Sequence, residues 1–377
     1  MSTIAAKVAV VGSGVSGAIC ASSLARIGVS VTLFDSARGP GGRMSHRRET
    51  TDDGKELFFD HGAPYFTASQ PDILRLVQEW VSKGIVAQWD EVHGTFDSAS
   101  KKFLDVDKFD TTKDVSSKKY VGVSGMNSIC KALCGEPGLE TKFGVGVGKI
   151  DWLVNENLWS LIGFDGQYLG KFDCVVASDK NIASRRISDV SGRDTPLDPS
   201  LFPEWAEKIK DIPVRSCFAL MLAFAEPLSS IPFKCFSIKN SEILSAAFCN
   251  SSKPGRSDKS ECWVLHSTAE YAYNIISQHG LAKPSNALLT KVAKELLLEF
   301  QSIGLCGLQP YFTKAHRWGS AFPAASIARE EKCVWDEGKG LAICGDFCVS
   351  PNVEGAICSG VVAAANVMEK LRSFRSL

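Results

Sequence analysis

The hydrophobic pattern opens with a continuous apolar run, Val8–Val11, of the length and β-branched character of a strand buried on both faces. Gly12, Gly14 and Gly17 follow at G-x-G-x-x-G spacing. The small-residue stretch from Ala18 to Ile27 predicts a helix able to lie close on a sheet, and Val29–Phe34 predicts a second strand with Asp35 at its end. Leu57–Asp60 reads as a short strand leading into an aromatic Gly/Pro turn, His61 to Thr67. Ile73, Val77, Trp80 and Val81 fall on one face of an amphipathic helix over Pro71–Gly84.

Val86–Val92 predicts another strand, and the polar stretch Thr95–Lys119 a solvated hairpin and loop. After Tyr120 to Met126 a helix carries Met126, Ile129 and Leu133 inward. Phe143–Val147, Ile150–Val154 and Leu158–Phe164 alternate as antiparallel strands do, with turns at Asn155 to Asn157 and at Asp165-Gly166. Phe172–Ala177 is a continuous apolar strand that fits a return to the first sheet. From Asn181 to about Pro213 the chain is loop-rich with one short helix. Val214–Ala225, Phe233–Ile238, Ile243–Cys249 and Cys262–His266 predict four strands, with a polar Gly/Pro loop at Ser251–Ser260. Asn286–Ile303 predicts a helix capped by Asn286, with Leu289, Val292, Leu296 and Phe300 as its apolar stripe.

The glycine spacing has a physical reason. Gly12 allows the tight turn out of the strand, Gly14 leaves room for a pyrophosphate at the backbone, and Gly17 lets the helix pack closely on the strand. The helix N-terminus then offers N–H groups and a positive dipole end to phosphate. Asp35 suits both ribose hydroxyls of an adenosine, and its charge disfavours a 2′-phosphate. Strand, helix, second strand and terminal acid occur in order, which is the context a bare glycine motif lacks. The doubly basic turn Arg38 to Met44 adds Arg38 and Arg43, whose guanidinium groups match a pyrophosphate in a bidentate way. Near the other end, Leu341 to Asp346 is a strand ending in Gly-Asp. Phe347 to Glu354 reads as a loop, and Gly355-Ala356 opens a small-residue helix to about Glu369. There Asp346 suits a sugar hydroxyl, and the N–H groups of Val353 to Ala356 suit negative charge.

Composition narrows the classes. Lys+Arg and Asp+Glu are balanced at 42 each, which provides no basic field for nucleic acid and no polybasic membrane patch. The 13 cysteines include no C-x-x-C pair; they read mainly as small buried hydrophobes in a reducing compartment, with no metal site. No apolar run reaches membrane-spanning length, and the expected localisation is cytoplasmic.

Gly12 to Gly17, Asp35, Arg38 to Met44, Asp60 to Ala68, Tyr120 to Met126, His316-Arg317-Trp318, and Gly345-Asp346 with Val353 to Ala356 together resemble FAD-dependent oxidoreductases of the flavin amine oxidase superfamily. Within it the resemblance is closest to renalase-like proteins. It implies an α/β fold: a Rossmann-like FAD-binding domain with a discontinuous second domain built on a mostly antiparallel sheet. The expected division is 1–70, 120–180 and 325–377 for the FAD domain, and 71–119 and 181–324 for the substrate domain. The candidate cofactor contacts are Gly12, Gly14, Val15, Ser16, Gly17, Asp35, Ser36, Arg38, Gly42, Arg43, Met44, Ala63, Pro64, Tyr65, Val145, Gly345, Asp346, Val353, Glu354 and Ala356. Asp35 replaces the family's commoner glutamate, and Pro64 stands where a polar side chain is often found.

What the resemblance implies for function is hydride transfer from a small substrate to flavin N5, with oxygen as acceptor and hydrogen peroxide as product. For renalase-like proteins the substrate is a dihydronicotinamide isomer of NAD(P)H. No catalytic residue is fixed by it; Tyr65, Phe66, His316, Trp318 and Phe322 are candidates to line the substrate pocket. Two alternatives stand beside this one: an amine oxidase or desaturase-type FAD enzyme, and a non-catalytic nucleotide-binding protein.

Overall fold

The structure is a computed structural model that describes residues 6–105, 118–256, 259–304 and 307–373. The chain divides into two compact units. Unit one is Met1–Gly42, Ile129–Val214 and Pro323–Leu377; unit two is Arg43–Ser128 and Arg215–Phe322. Relative to the expected division, residues 43–70 and 120–128 group with unit two, and 181–214 and 323–324 with unit one.

Unit one is the Rossmann-like α/β domain. Its six-stranded sheet runs Val334–Asp336, Leu341–Ile343, Cys174–Ala177, Lys7–Val11, Ser30–Asp35, Leu139–Phe143. All neighbours are parallel except the Val334–Asp336 edge strand. Val8 to Val11 pair on both sides, with Cys174 to Ala177 and with Val31 to Phe34, so no side of this strand meets water and a solid apolar run results. From Lys7–Val11 the chain first builds outward on one side, then returns through Cys174–Ala177 on the other. The direction therefore switches at the carboxyl end of the first strand, the place where open α/β sheets bind ligands. A three-stranded antiparallel meander, Val147–Leu153, Leu158–Gly163 and Tyr168–Phe172, packs Trp159 and Leu161 into the same core as Phe34 and Val175.

Two sequence expectations change here. The strand expected at Phe143–Val147 is Leu139–Phe143, and it joins the parallel sheet beside Ser30–Asp35 rather than the meander. Its alternate residues Glu140 and Lys142 are exposed, as suits an edge strand, and this polarity hid it. The loop expected from Phe347 to Glu354 contains a short helix, Asp346–Val349. The segment expected to hold one short helix holds two, Arg186–Ser191 and Pro203–Lys210.

Unit two is built on a seven-stranded, mainly antiparallel sheet in the order Phe312–Pro323, Val214–Phe224, Glu261–Ser267, Leu244–Cys249, Cys235–Lys239, His93–Asp97, Lys102–Asp105. The helices Ala269–His279 and Asn286–Gln301 cover it with Ala272, Ile275, Val292, Leu296 and Phe300. The second helix is capped by Ser285, whose hydroxyl accepts from Leu288 N at 3.2 Å, and not by Asn286. The strand expected over Val86–Val92 stops at Gln88, and a separate strand, His93–Asp97, enters the large sheet. The hairpin expected in the 95–119 stretch exists and buries Phe96, so it is part of the sheet edge; residues 106–117 lie outside the described residues. No helix among the described residues is long and apolar enough to cross a membrane.

Candidate functional site

In unit one the first strand leads straight into a corner. Gly12 adopts φ +105°, a conformation that favours glycine, and a Cβ there would sit 2.5 Å from Ser178 Oγ. A Cβ on Gly17 would lie well inside contact distance of the Gly12 carbonyl oxygen and of Ser178 Oγ. Ser178 closes the corner by donating to the Val11 and Gly12 carbonyls at 3.0 and 2.9 Å. Gly14 differs from both. Its φ of −62° suits any residue, and a Cβ would meet no protein atom within 4 Å. Nothing in the protein itself therefore requires glycine here, and the space beside it is open.

Gly14 is also the N-cap of the helix Val15–Arg26, and it contributes no side-chain cap. The following loop folds over it: Gly41 N donates to Ser13 O at 3.0 Å, and Gly42 Cβ would lie 3.4 Å from Gly14 Cα. Asp35 Oδ2 accepts from Ser13 N at 2.7 Å and from Ser13 Oγ at 2.5 Å, while among the described residues Oδ1 accepts only from Ala37 N at 2.8 Å. The carboxylate thus rigidifies the turn and keeps acceptor capacity on Oδ1. Arg38 is exposed with no hydrogen-bond partner among the described residues.

The second corner lies in the same sheet. Leu341–Ile343 runs parallel to Lys7–Val11 one strand away, so both strands end on one edge. Gly345 turns at φ +155° with its N–H held by Ser359 Oγ at 3.0 Å, and Asp346 is buried behind it. The long helix Val353–Ser373 crosses Val15–Arg26 at Gly360, where a Cβ would strike the Ser16 carbonyl. One expectation narrows. Of the four N–H groups from Val353 to Ala356, Gly355 is taken by Asn352 Oδ1 at 2.7 Å and Ala356 by Asn352 O at 3.1 Å. Asn352 is thus this helix's own cap. Val145 sits beside the first corner, its N–H on Asp35 O at 3.0 Å. In this way the fold gathers Gly12, Gly14, Val15, Ser16, Gly17, Asp35, Ser36, Gly42, Val145, Gly345, Asp346, Val353, Glu354 and Ala356 within unit one. Arg43, Met44, Ala63, Pro64 and Tyr65 belong to unit two, with His316, Trp318 and Phe322.

In unit two, Gly62 is pressed against Arg43 O and 2.9 Å (from a Cβ) to Trp318, and Ala63 N donates to Arg43 O at 2.8 Å. His61, His316 and Trp318 form a ring cluster with centroids 4.8–4.9 Å apart. The His61 carbonyl receives Trp318 Nε1 at 3.0 Å and lies 3.1 Å from His266 Nε2. The sequence marks His61 as the start of the aromatic turn but does not place it among the pocket candidates. Its Nδ1 is buried with no hydrogen-bond partner among the described residues. Burial first, then His316 and Arg47, bring the His61 imidazole down to about 3; burial likewise brings His266 to about 4, and burial with Arg47 and Arg317 brings His316 to about 4. All three rings are neutral at pH 7. No group of three or more His, Cys, Asp or Glu among the described residues is placed to hold a metal ion. Tyr65 is half-buried between Trp89 and Phe248, but Phe66 is core, 3% exposed and paired with Tyr120. Arg317 is a helix-end clamp on the carbonyls of Gly280, Leu281 and Ala282.

These imidazoles carry a pH prediction. Unfolded histidine titrates near 6.5, above all three folded values, so the unfolded chain binds more protons between them. Stability is fully present above about pH 6.5 and falls as pH drops toward 4, by up to about 1.4 kcal/mol per pH unit for each ring. Denaturation midpoints at pH 7.5 and 5 check this; equal midpoints would exclude it.

Sequence reasoning also missed a buried ion network. Asp60, wholly buried, accepts from Lys253 Nζ at 3.0 Å, Arg256 Nη2 at 2.7 Å and Met126 N at 2.9 Å, with His46 Nδ1 at 3.4 Å. Burial alone would raise this carboxyl. Lys253, the His46 contact, Arg256 and the Met126 N–H outweigh it and hold the group well below the usual carboxylate range. The segment expected as a polar Gly/Pro loop, Ser251–Ser260, thereby inserts two cations, Lys253 and Arg256, into the interior.

Comparison places the chain among known folds. Residues 10–80 match the family described as an NAD(P)-binding Rossmann-like domain. Over nearly its whole length the chain is similar to a protein from Exiguobacterium sp. 255-15 described as a protoporphyrinogen oxidase, with TM-score 0.68, 11% identity, and 98% of this chain and 100% of that chain covered. It is also similar to a triple variant of putrescine oxidase made to redesign cofactor binding (TM-score 0.66, 14% identity, 97% and 99% covered). Wild-type putrescine oxidase bound to putrescine matches with TM-score 0.63, 14% identity, and 97% and 99% covered. At these identities the likeness is one of fold: a Rossmann-like dinucleotide-binding domain joined to an α+β unit, the architecture of these oxidases.

Proposed function

We propose that this chain is an FAD-dependent oxidoreductase that oxidises a dihydronicotinamide, a substrate of the kind the renalase-like resemblance implies. The observation that carries the reading is the corner at Gly14: a helix N-terminus with no side-chain cap, protein-free space where a Cβ would stand, and Asp35 held rigid with an acceptor to spare. This cradle fits a pyrophosphate and an adenosine ribose. Gly14, Val15 and Asp35 would hold the adenosine half, and Asp346 and Val353 the sugar-like and ring portions. Bound FAD would supply two-electron oxidation, with hydride taken from substrate and oxygen reduced to hydrogen peroxide.

The chain's own residues then bind and orient. Tyr65, Trp318 and Phe322 offer flat apolar contacts, and His316 offers a neutral imidazole to a polar substrate edge. An amine cation is served less well, because Glu49 and Asp60, the carboxylates beside these rings, are already bonded by cations.

The purified protein should be yellow and release flavin on denaturation. Under anaerobic conditions the flavin bands should bleach with 2- or 6-dihydro isomers of NAD(P)H and resist putrescine. Bleaching by amines at a higher rate would overturn the substrate, and a colourless protein that takes up NAD but not FAD would overturn the cofactor.

A further inference from the structure

A second polar hub in unit two is arranged differently from the buried Asp60 network. Glu49 receives Arg47 Nε on Oε1 at 2.6 Å and Lys314 Nζ on Oε2 at 2.8 Å. The carboxylate is only 13% exposed, whereas the Arg47 and Lys314 side chains are 39% and 42% exposed. Burial would raise the Glu49 carboxyl, and the hydrogen bonds from Lys314 and Arg47 instead lower it, so it stays charged. One largely covered anion thus positions two half-exposed cations. The Arg47 Nη groups have no partner among the described residues, and Lys314 spends one of its three donors on Glu49.

Strand geometry sets this hub beside the ring cluster. Lys314, His316 and Trp318 alternate along Phe312–Pro323 and share one face, as Arg47 and Glu49 do on Arg47–Thr50. Phe59, paired with Arg47 across the ribbon, stacks on Phe312 at 5.6 Å, which joins the two elements. Beside them lies His61, whose buried Nδ1 has no partner among the described residues.

We propose that Arg47 and Lys314 form an anion site that takes the phosphate of a nucleotide whose flat ring lies against Trp318 and His316. The assignment rests on the reading of unit two as the substrate side. A guanidinium with both Nη groups open matches a phosphate in bidentate fashion, and the lysine adds a second charge. The hub carries one net positive charge, which attracts a phosphate and repels a polyamine.

The test compares two probes that differ only by a phosphate, nicotinamide mononucleotide and nicotinamide riboside, in their oxidised forms so that no turnover occurs. Equilibrium dialysis against the purified full-length protein should show the mononucleotide binding at least tenfold more tightly at low salt. That preference should shrink in high salt and collapse in both Arg47→Gln and Lys314→Gln, with riboside binding unchanged. Equal binding of the two probes by the unmodified protein would overturn the proposal. So would a preference that survives both variants, the result expected if the mononucleotide settles at the glycine corner instead. Thermal midpoints identify a variant that misfolds, in which case the other decides. A colourless protein that keeps the preference would sink the flavin reading and leave this site standing; a yellow protein bleached by dihydronicotinamides without any preference would do the reverse.

Discussion

Asp60→Asn should destabilise the protein by about 3–5 kcal/mol, the cost of stranding buried charges without their counter-ion. Lys253 is fully buried and Arg256 nearly so, and asparagine can still accept from Met126 N but cannot balance either cation. Lys253→Met should cost less, because Asp60 keeps Arg256 and His46 while the lysine's stem is replaced by apolar volume. Chemical denaturation followed by tryptophan emission measures both, since Trp89 lies 5.7 Å from Lys253 Nζ. A loss below about 1 kcal/mol in Asp60→Asn, small beside the usual price of an unpaired buried charge, would show that the network is not holding its charges in the interior. The pH sign is set by the lowered carboxyl: this contribution is complete above the unfolded value near 4 and disappears only as pH falls through the much lower folded value.

The second large effect separates two glycines three residues apart. Gly14→Ala should change stability by less than about 1 kcal/mol, the scale of an N-cap change, since its methyl enters open space at an ordinary φ. Flavin content per protein should nevertheless fall at least tenfold, because that space is where the pyrophosphate is proposed to lie. Gly17→Ala should do the opposite first. Its methyl meets the Gly12 carbonyl and Ser178, so the helix must lift from the strand at a cost of about 1–3 kcal/mol. Absorbance ratios and thermal midpoints for the pair distinguish a ligand-bearing glycine from a packing glycine. Unchanged flavin content in Gly14→Ala would show that the cofactor lies elsewhere.

Much of the fold was legible because its signals are local. The solid apolar run before Gly12 marks a strand covered on both sides, and the matching runs at 174–177 and 341–343 join the same sheet. The long helix at Asn286 shows its 3.6-residue stripe, with Val292, Leu296 and Phe300 all buried. Elements with mixed polarity were harder. Leu139–Phe143 reads as polar coil until its place at a parallel edge is known, and the helix Ala269–His279 buries only Ala272 and Ile275, too few for a clear period.

The amino-acid sequence by itself determined the glycine corner, Asp35 at the end of the second strand and, separately, a second strand-to-helix turn at Gly345. Each depends on residues a few positions apart, and the turns at Gly12 and Gly345 also on positive φ angles that few side chains tolerate. Only the tertiary structure decided the fate of the charges. Lys253 meets Asp60 across 193 positions and Lys314 meets Glu49 across 265, so a polar Gly/Pro loop supplied a buried counter-ion and a pair of ordinary basic residues became an oriented fork. The physical reason is that a charge's burial and pairing depend on which distant segments surround it, and no pattern along the chain encodes that distance.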